Sequence, residues 1–170
     1  LHYGGQDKQE EAELIKSALD SLRALSGQAI NGWVSPAKNE SENTPELLAE
    51  NGIEYFCDWV NDDMPYRFNT SEAPLIAMPL STELEDRFVI QNNLHSEESW
   101  RDQVLDAARF LIEEATEQGG RILALNIHPW LMGQPHRIKF LEEVLEQLMA
   151  NKDVWSASPG EILAEWKRQQ

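Results

Sequence analysis

The chain has 170 residues, 30 of them acidic and 14 basic, and its formal net charge at pH 7 is -16. This length allows one domain with a hydrophobic core, so we predict a single domain over residues 1–170. The negative charge disfavours nucleic acid and anionic membranes as partners, and no segment is long and apolar enough to span a bilayer.

Five segments carry the apolar stripe of amphipathic helices together with residues that begin or end helices. Gly27 follows the first stripe, Ser96 precedes the longest one, and Gly119 follows it. The run SPGE at residues 158–161 has the pattern of a capping box with proline at the first helical position. We therefore predict helices over residues 9–26, 44–51, 96–119, 137–150 and 158–166.

Short apolar segments lie between these helices and have the composition of strands. We predict strands over residues 30–34, 53–57, 74–80, 122–127 and 154–157, with loops over 35–43 and 58–67, while 82–95 carries no clear pattern. Alternating strands and helices predict an α/β fold with parallel strands covered by helices. About five strands leave two options, a small doubly wound sheet or part of a barrel, because a closed eight-stranded barrel needs roughly 250 residues.

A histidine follows the most continuous of the apolar segments. The run from Ile122 to Ile127 stops at His128 and Pro129, so we predict a buried strand that carries a histidine at its carboxyl end. Ligands of α/β proteins bind beyond these strand ends, which favours a functional histidine. The alternative is a structural histidine that is hydrogen-bonded beneath a loop.

Polar residues also follow two other predicted strands. A carboxylate can fix the tautomer of a histidine and raise its basicity, so a pair of Asp58 and His128 would suit proton transfer to a leaving group. The spacing alone does not establish that pair, and Asp62 and Asp63 are equally typical of a solvated turn. Three tryptophans beside the predicted strand ends suit the wall of a pocket for a sugar-like or ring-shaped substrate, namely Trp33, Trp59 and Trp130.

Metal ligation has little support in the sequence. Cys57 is the one cysteine, which excludes an internal disulfide and a metal site built from several cysteines. His128 and His136 do not have the spacing of helical metal ligands. We therefore predict no metal site and no evident cofactor in this chain.

Four segments carry a pattern that their composition alone does not explain: NGWVSP (31–36), NTPELLAENGIEYFCDWVNDDMPY (43–66), ALNIHPWLMGQPHRI (124–138) and VWSASPGEILAEW (154–166). Together they resemble the polysaccharide deacetylase (NodB-homology) family, and especially its allantoinase-like and peptidoglycan-deacetylase-like branch. The resemblance implies a distorted seven-stranded β/α barrel. It also implies hydrolysis of carbon–nitrogen amide bonds other than peptide bonds, usually in N-acetyl groups on sugars.

The resemblance assigns roles to individual residues. His128 matches the general acid that protonates the departing amine, and Asp58 matches the carboxylate that orients this histidine. Asn31 stands where the family has an arginine, and an amide cannot replace a guanidinium without loss of function. The residues expected to contact substrate are Trp33, Trp59, Trp130, Leu131 and Asp63.

Two early motifs of the family are not found in the chain. They supply an aspartate pair and histidine metal ligands, and LHYGG around His2 does not match them. The resemblance therefore implies that the chain corresponds to the later two-thirds of a deacetylase-like domain, with about five of seven strands. It also implies that a zinc-like divalent metal belongs to the full-length domain, and that this chain alone is weakly active or inactive.

The predicted function is deacetylase-like hydrolysis of an amide bond in an N-acetylated carbohydrate or a small amide or ureide. The alternative is a non-catalytic domain that binds carbohydrate or another small ligand. We predict a cytoplasmic location, since no signal peptide is recognised, and no nucleic-acid or membrane partner. Sheet edges and apolar surface left by a partial barrel predict association with further copies of the chain.

Overall fold

A computed structural model describes residues 6–59 and 61–170. His2, to which the sequence analysis assigns no role, lies outside the described residues. In chain order the elements are α1 (Lys8–Ser26), β1 (Gly32–Trp33), a 3₁₀ turn (Pro36–Lys38), α2 (Thr44–Glu50), β2 (Tyr55–Phe56), β3 (Tyr66–Phe68), β4 (Leu75–Ala77), a π-helix (Arg87–Asn92), α3 (Glu97–Gln118), α4 (Pro129–Met132), α5 (Ile138–Ala150) and α6 (Pro159–Arg168). The chain divides into two compact units, and each is described by itself.

The first unit, here called the sheet unit, contains the described residues up to Pro79 together with Ala157–Gln170. Its sheet has the strand order β1-β2-β4-β3, in which β1, β2 and β4 are parallel and β3 is antiparallel to β4. The core joins residues of α1 and α2 to residues of the sheet: Ile15, Leu19, Leu47, Leu48, Ile53, Phe56, Leu75 and Ala77.

A buried carboxylate joins the first two helices of the sheet unit. Glu11 of α1 is fully buried and accepts hydrogen bonds from the hydroxyls of Ser41 and Thr44 at the beginning of α2. Buried charges need such partners, because an unpaired carboxylate in an apolar environment is costly. This contact fixes α1 against the start of α2.

The second unit, here called the helical unit, spans Leu80–Ser156 and contains the π-helix, α3, α4 and α5. Helices α3 and α5 pack against each other, and residues 122–127 form neither a helix nor a strand. Alternate residues of that segment, Leu123, Leu125 and Ile127, pack on the core. The core consists of Val89, Ile90, Trp100, Val104, Met132, Phe140 and Val144.

The predicted α/β architecture is confirmed, but the strand assignments need correction. The described residues form a four-stranded sheet that is not closed, and residues 122–127 and 154–157 form no strand in it. A strand requires hydrogen bonds to a neighbouring strand, and an apolar run does not specify that neighbour. The opposite error occurs at β3, which begins inside the predicted loop over residues 58–67.

The five predicted helices are confirmed, and at three of them the predicted capping residues act as expected. Gly27 ends α1 in the left-handed conformation with a φ of 65°. The Ser96 side chain caps α3, and Ser158 and Glu161 form the predicted capping box of α6. Among the residues that the structure describes, none of the helices combines the length and the apolar character needed to cross a bilayer.

Candidate active site

His128 stands where extended chain turns into α4. Its φ and ψ angles are -99° and 110°, and its carbonyl oxygen accepts hydrogen bonds from the N–H groups of Leu131 and Met132, both at 2.9 Å. Pro129 suits the first helical position because its missing N–H would have no helical partner there. Leu131 and Met132 are buried, so they anchor the turn and fix the backbone of His128.

Asp86 is the carboxylate that contacts His128. Asp86 Oδ1 lies 2.7 Å from Nδ1 of the imidazole, and Asp86 Oδ2 accepts the backbone N–H of His128 at 2.8 Å. Oδ1 also accepts the backbone N–H of Arg87 at 2.8 Å. A carboxylate at Nδ1 holds the proton on that nitrogen, so Nε2 is the nitrogen that can exchange a proton with a ligand.

The position of Asp86 follows from the local fold. Asp86 caps the π-helix and is fully buried, and π-helical segments are frequent at functional sites. Trp100, at the centre of the core of the helical unit, donates its indole N–H to the carbonyl oxygen of Leu84 at 3.0 Å. The backbone just before Asp86 is therefore tied to α3.

Two further side chains surround the imidazole of His128. Glu85 Oε1 lies 3.8 Å from Nε2, and the side chains of Glu85 and His128 are 14% and 22% exposed. The Trp130 ring meets the imidazole edge-on, with ring centroids 5.4 Å apart, and Trp130 is 53% exposed. The surroundings of Nε2 thus combine a negative charge, an aromatic ring and access to solvent.

Asp58 occupies a different environment in the sheet unit. Its Oδ1 accepts the backbone N–H of Ser35 at 2.7 Å, whereas its buried Oδ2 has no hydrogen-bond partner in the described part of the chain. Burial raises the pKa of Asp58, the charge of Glu40 raises it further, and hydrogen bonds from Ser35 oppose both effects. Asp86 therefore holds the position at Nδ1 of His128 that the sequence analysis gave to Asp58. A catalytic role for Asp58 stays a prediction.

Two of the predicted pocket tryptophans are held by hydrogen bonds in the sheet unit. Trp33 donates its indole N–H to the hydroxyl of Ser35 at 3.0 Å, and Trp59 donates its own to Glu40 Oε1 at 2.6 Å. Trp59 also packs edge-on against Phe68, with ring centroids 4.8 Å apart. These contacts fix both rings beside the strand ends, and substrate contact stays a prediction for each.

The other predicted substrate residues differ in exposure. Trp130 is open to solvent, Leu131 is 5% exposed and Asp63 lies on the surface. Asp62 accepts the backbone N–H of Met64 at 3.0 Å, which is the turn contact expected of an aspartate in a solvated loop.

Asn31, the residue at the position of the expected arginine, takes part in the sheet. Its carbonyl oxygen accepts the N–H of Glu54 at 2.8 Å, and its side-chain amide donates to Glu54 Oε1 at 3.3 Å. The described ranges 6–59 and 61–170 bring together no group of three or more His, Cys, Asp or Glu side chains that could hold a metal ion. The described residues therefore do not fit a zinc-like site.

Sequence reasoning located His128 but missed Asp86 and Glu85. Both precede a π-helix inside residues 82–95, where the spacing of apolar residues follows no helical or strand period. The one local signal is the acidic run ELED over residues 83–86, which is also typical of a solvated surface.

Comparisons with known proteins support the resemblance. A protein of Schizosaccharomyces pombe named "Putative polysaccharide deacetylase" is 23% identical over 184 residues, which cover 98% of this chain and 57% of that protein. No model of a known protein family matches the sequence.

Solved structures give the same result. A protein of Pseudomonas aeruginosa PAO1 named "probable polysaccharide deacetylase", whose crystal structure is known, is 28% identical, with a TM-score of 0.89, and the match covers 100% of this chain and 57% of that one. The PuuE allantoinase is 26% identical, also with a TM-score of 0.89, over 99% of this chain and 56% of the allantoinase. The predicted resemblance to polysaccharide deacetylases and to an allantoinase is confirmed, and this chain spans little more than half the length of each relative.

Proposed function

We propose that the chain provides the proton-donating side of a hydrolase that cleaves non-peptide carbon–nitrogen bonds. The substrate is an N-acetylated carbohydrate or a small amide or ureide. The contact of 2.7 Å between His128 Nδ1 and Asp86 Oδ1 carries this proposal. The similarity to a polysaccharide deacetylase and to an allantoinase supports the amide bond as the target, since both similar proteins are named for such chemistry.

The proposed step is the breakdown of a tetrahedral intermediate. Protonated His128 transfers the proton on Nε2 to the nitrogen of the substrate, the electron pair of the carbon–nitrogen bond moves to that nitrogen, and the carbonyl forms again as the amine departs. Asp86 stays ionised, keeps Nδ1 protonated and stabilises the imidazolium before transfer. The group that activates the attacking water is not assigned, and no step passes through a metal.

The proposal includes residues of the sheet unit. Asp58 is proposed as a second catalytic carboxyl, because its unpaired buried oxygen can accept a hydrogen bond from substrate. We also propose that the four-stranded sheet is part of a distorted β/α barrel and that the chain forms oligomers. The proposed substrate contacts are Trp33, Trp59, Trp130, Leu131 and Asp63.

Hydrolysis is tested in two preparations, one of which is the chain by itself. The other is a chimera that joins this chain to the part of the Pseudomonas relative that it does not match. Release of acetate from N-acetylated oligosaccharides and turnover of allantoin are measured in both. We expect the chimera to be active and the isolated chain to be slow or inactive, because general acid–base groups each contribute roughly 10²–10⁴-fold.

His128→Ala is the decisive variant in the chimera, and we expect it to lose roughly 10²–10⁴-fold in kcat. His95→Ala is the matched control, since His95 is an exposed histidine of the same unit. The proposed hydrolase function would be refuted if the unsubstituted chimera folds and binds substrate but turns it over no faster than the chimera that carries His128→Ala. That result would favour the alternative of a binding domain, for which the exposed Trp130 beside His128 is the supporting observation.

A further inference from the structure

Glu85 faces the nitrogen of His128 that Asp86 leaves free. The distance of 3.8 Å between Glu85 Oε1 and Nε2 exceeds the roughly 3.2 Å limit of a good N–H···O hydrogen bond. It is nevertheless short enough for a single ligand atom to contact both groups. Both side chains are mostly buried, so a charge at this place acts with less screening than on the surface.

The two groups can serve opposite functions toward one atom. A protonated Nε2 is a hydrogen-bond donor, whereas the carboxylate of Glu85 can only accept hydrogen bonds. The nitrogen of a tetrahedral amide adduct needs both, because it carries a lone pair that accepts the proton and an N–H that requires an acceptor. An ester oxygen or a fully substituted nitrogen has no N–H to donate.

We infer that Glu85 Oε1 accepts the N–H of the scissile nitrogen while His128 Nε2 faces the lone pair of the same atom. This inference rests on the proposed function and narrows its substrate class to primary and secondary amides and ureides. Esters and tertiary amides leave the carboxylate of Glu85 unpaired in a mostly buried place, which is costly. The negative charge of Glu85 also stabilises the positive charge that the nitrogen gains on protonation.

The backbone places Glu85 for this role. Its N–H donates to the carbonyl oxygen of Thr82 at 3.2 Å, and its carbonyl oxygen accepts the N–H of Val89 at 3.0 Å. Glu85 directly precedes Asp86, whose two oxygens are bound to His128. The two carboxylates therefore contact opposite nitrogens of one imidazole from adjacent chain positions.

The test measures ligand binding by the whole chain with ¹⁵N-labelled histidine, and it needs no catalytic turnover. The probes are N-methylacetamide and methyl acetate. They are similar in size, but the amide has an N–H group where the ester has an oxygen atom. The initial slope of the His128 imidazole shift against probe concentration reports binding at this site. We expect a slope about tenfold larger for the amide, as a hydrogen bond to a charged group implies.

Variants of Glu85 separate the acceptor from its charge. Glu85→Leu removes both and should abolish the preference for the amide, while Glu85→Gln keeps a carbonyl acceptor and should retain part of it. Glu83→Leu removes an exposed carboxylate two residues away and should leave the preference unchanged.

The outcomes distinguish the inference from the proposed function. Equal slopes for both probes in the wild type overturn the inference alone, and so does a preference that survives Glu85→Leu. A wild-type His128 signal that responds to neither probe overturns the inference and also counts against an amide site at His128.

Discussion

Two buried aspartates show how differently the two units treat a carboxylate. Asp86 of the helical unit accepts three hydrogen bonds over its two oxygens, two of them from His128. Asp58 of the sheet unit is held through Oδ1 by Ser35, and its Oδ2 is buried without a described partner. The first carboxylate is held by hydrogen bonds at both oxygens, whereas burial raises the pKa of the second.

The difference has a chemical meaning. Asp86 uses both of its oxygens to hold His128, so it is suited to orienting that residue. A carboxylate with an unpaired buried oxygen, such as Asp58, lowers the stability of the fold but can accept a hydrogen bond from a ligand. Functional sites often combine lower stability with activity in this way. The comparison predicts opposite stability effects when each aspartate is changed to asparagine.

Asp86→Asn should have the largest effect. The amide NH₂ would replace one carboxylate oxygen and would face a donor that this oxygen now binds, so we expect the free energy of unfolding to fall by about 3 kcal/mol. The neutral imidazole of His128 should shift from the Nδ1–H toward the Nε2–H tautomer, which ¹⁵N chemical shifts report. Asp106→Asn, an exposed aspartate of α3, is the control. An unchanged tautomer would show that Asp86 does not orient His128.

Asp58→Asn should have the opposite effect and raise the free energy of unfolding by about 1 kcal/mol. A pKa raised above the ordinary value of 3.8 means that the folded state binds the proton more tightly than the unfolded state does. The free energy of unfolding therefore falls as the pH rises through the pKa that Asp58 has in the folded state. An asparagine at this position does not ionise, so the variant does not show that fall. Denaturation at several pH values should show a stabilised variant at neutral pH whose advantage disappears at acidic pH.

The control for this stability measurement is Asp63→Asn, which changes an exposed aspartate in the loop that follows. Its stability should differ from the wild type by less than about 0.5 kcal/mol at every pH. A destabilised Asp58→Asn at neutral pH would contradict the description of Asp58 as an unsatisfied carboxylate.

Glu40→Gln should change the pKa of Asp58 and so test whether a nearby charge contributes to it. The variant keeps a carbonyl oxygen for the indole N–H of Trp59 but removes the charge that raises the pKa of Asp58. We expect the pKa of Asp58 to fall, as followed by ¹³C NMR of the labelled carboxyl. No change would mean that the charge of Glu40 does not contribute to this pKa.

Ser35→Ala should shift the pKa of Asp58 in the opposite direction from Glu40→Gln. The hydroxyl of Ser35 lowers the pKa of Asp58, so its removal should raise that pKa in the same ¹³C titration. The backbone N–H of Ser35 remains and still donates to Asp58. A fall in the pKa would show that the hydroxyl does not stabilise the ionised form.

Local signals account for the parts of this molecule that were predictable. Helix ends at Gly27, Ser96 and Ser158 were predicted because capping depends on residues within one turn. His128 was located because an apolar run stops at a His-Pro pair. The partner of His128 was not predicted, because Asp86 lies 42 positions earlier in a segment without regular periodicity.

Strand pairing failed for a related reason. Leu123, Leu125 and Ile127 are partly buried and pack on the core of the helical unit, so the apolar run correctly indicated packing, although the predicted buried strand was wrong. Its hydrogen-bonded neighbours depend on the rest of the chain, and no local composition encodes them. The same holds for β3, whose partner β4 follows it directly but whose own sequence, YRF, is short and mixed.

Trp100 connects the core of the helical unit to the candidate active site through one hydrogen bond. Its indole N–H holds the carbonyl oxygen of Leu84, and the next two residues are Glu85 and Asp86. A Trp100→Phe change would keep most of the apolar packing and cut this tether. We expect this substitution to slow proton transfer, although the altered ring makes no hydrogen bond to His128, Glu85 or Asp86.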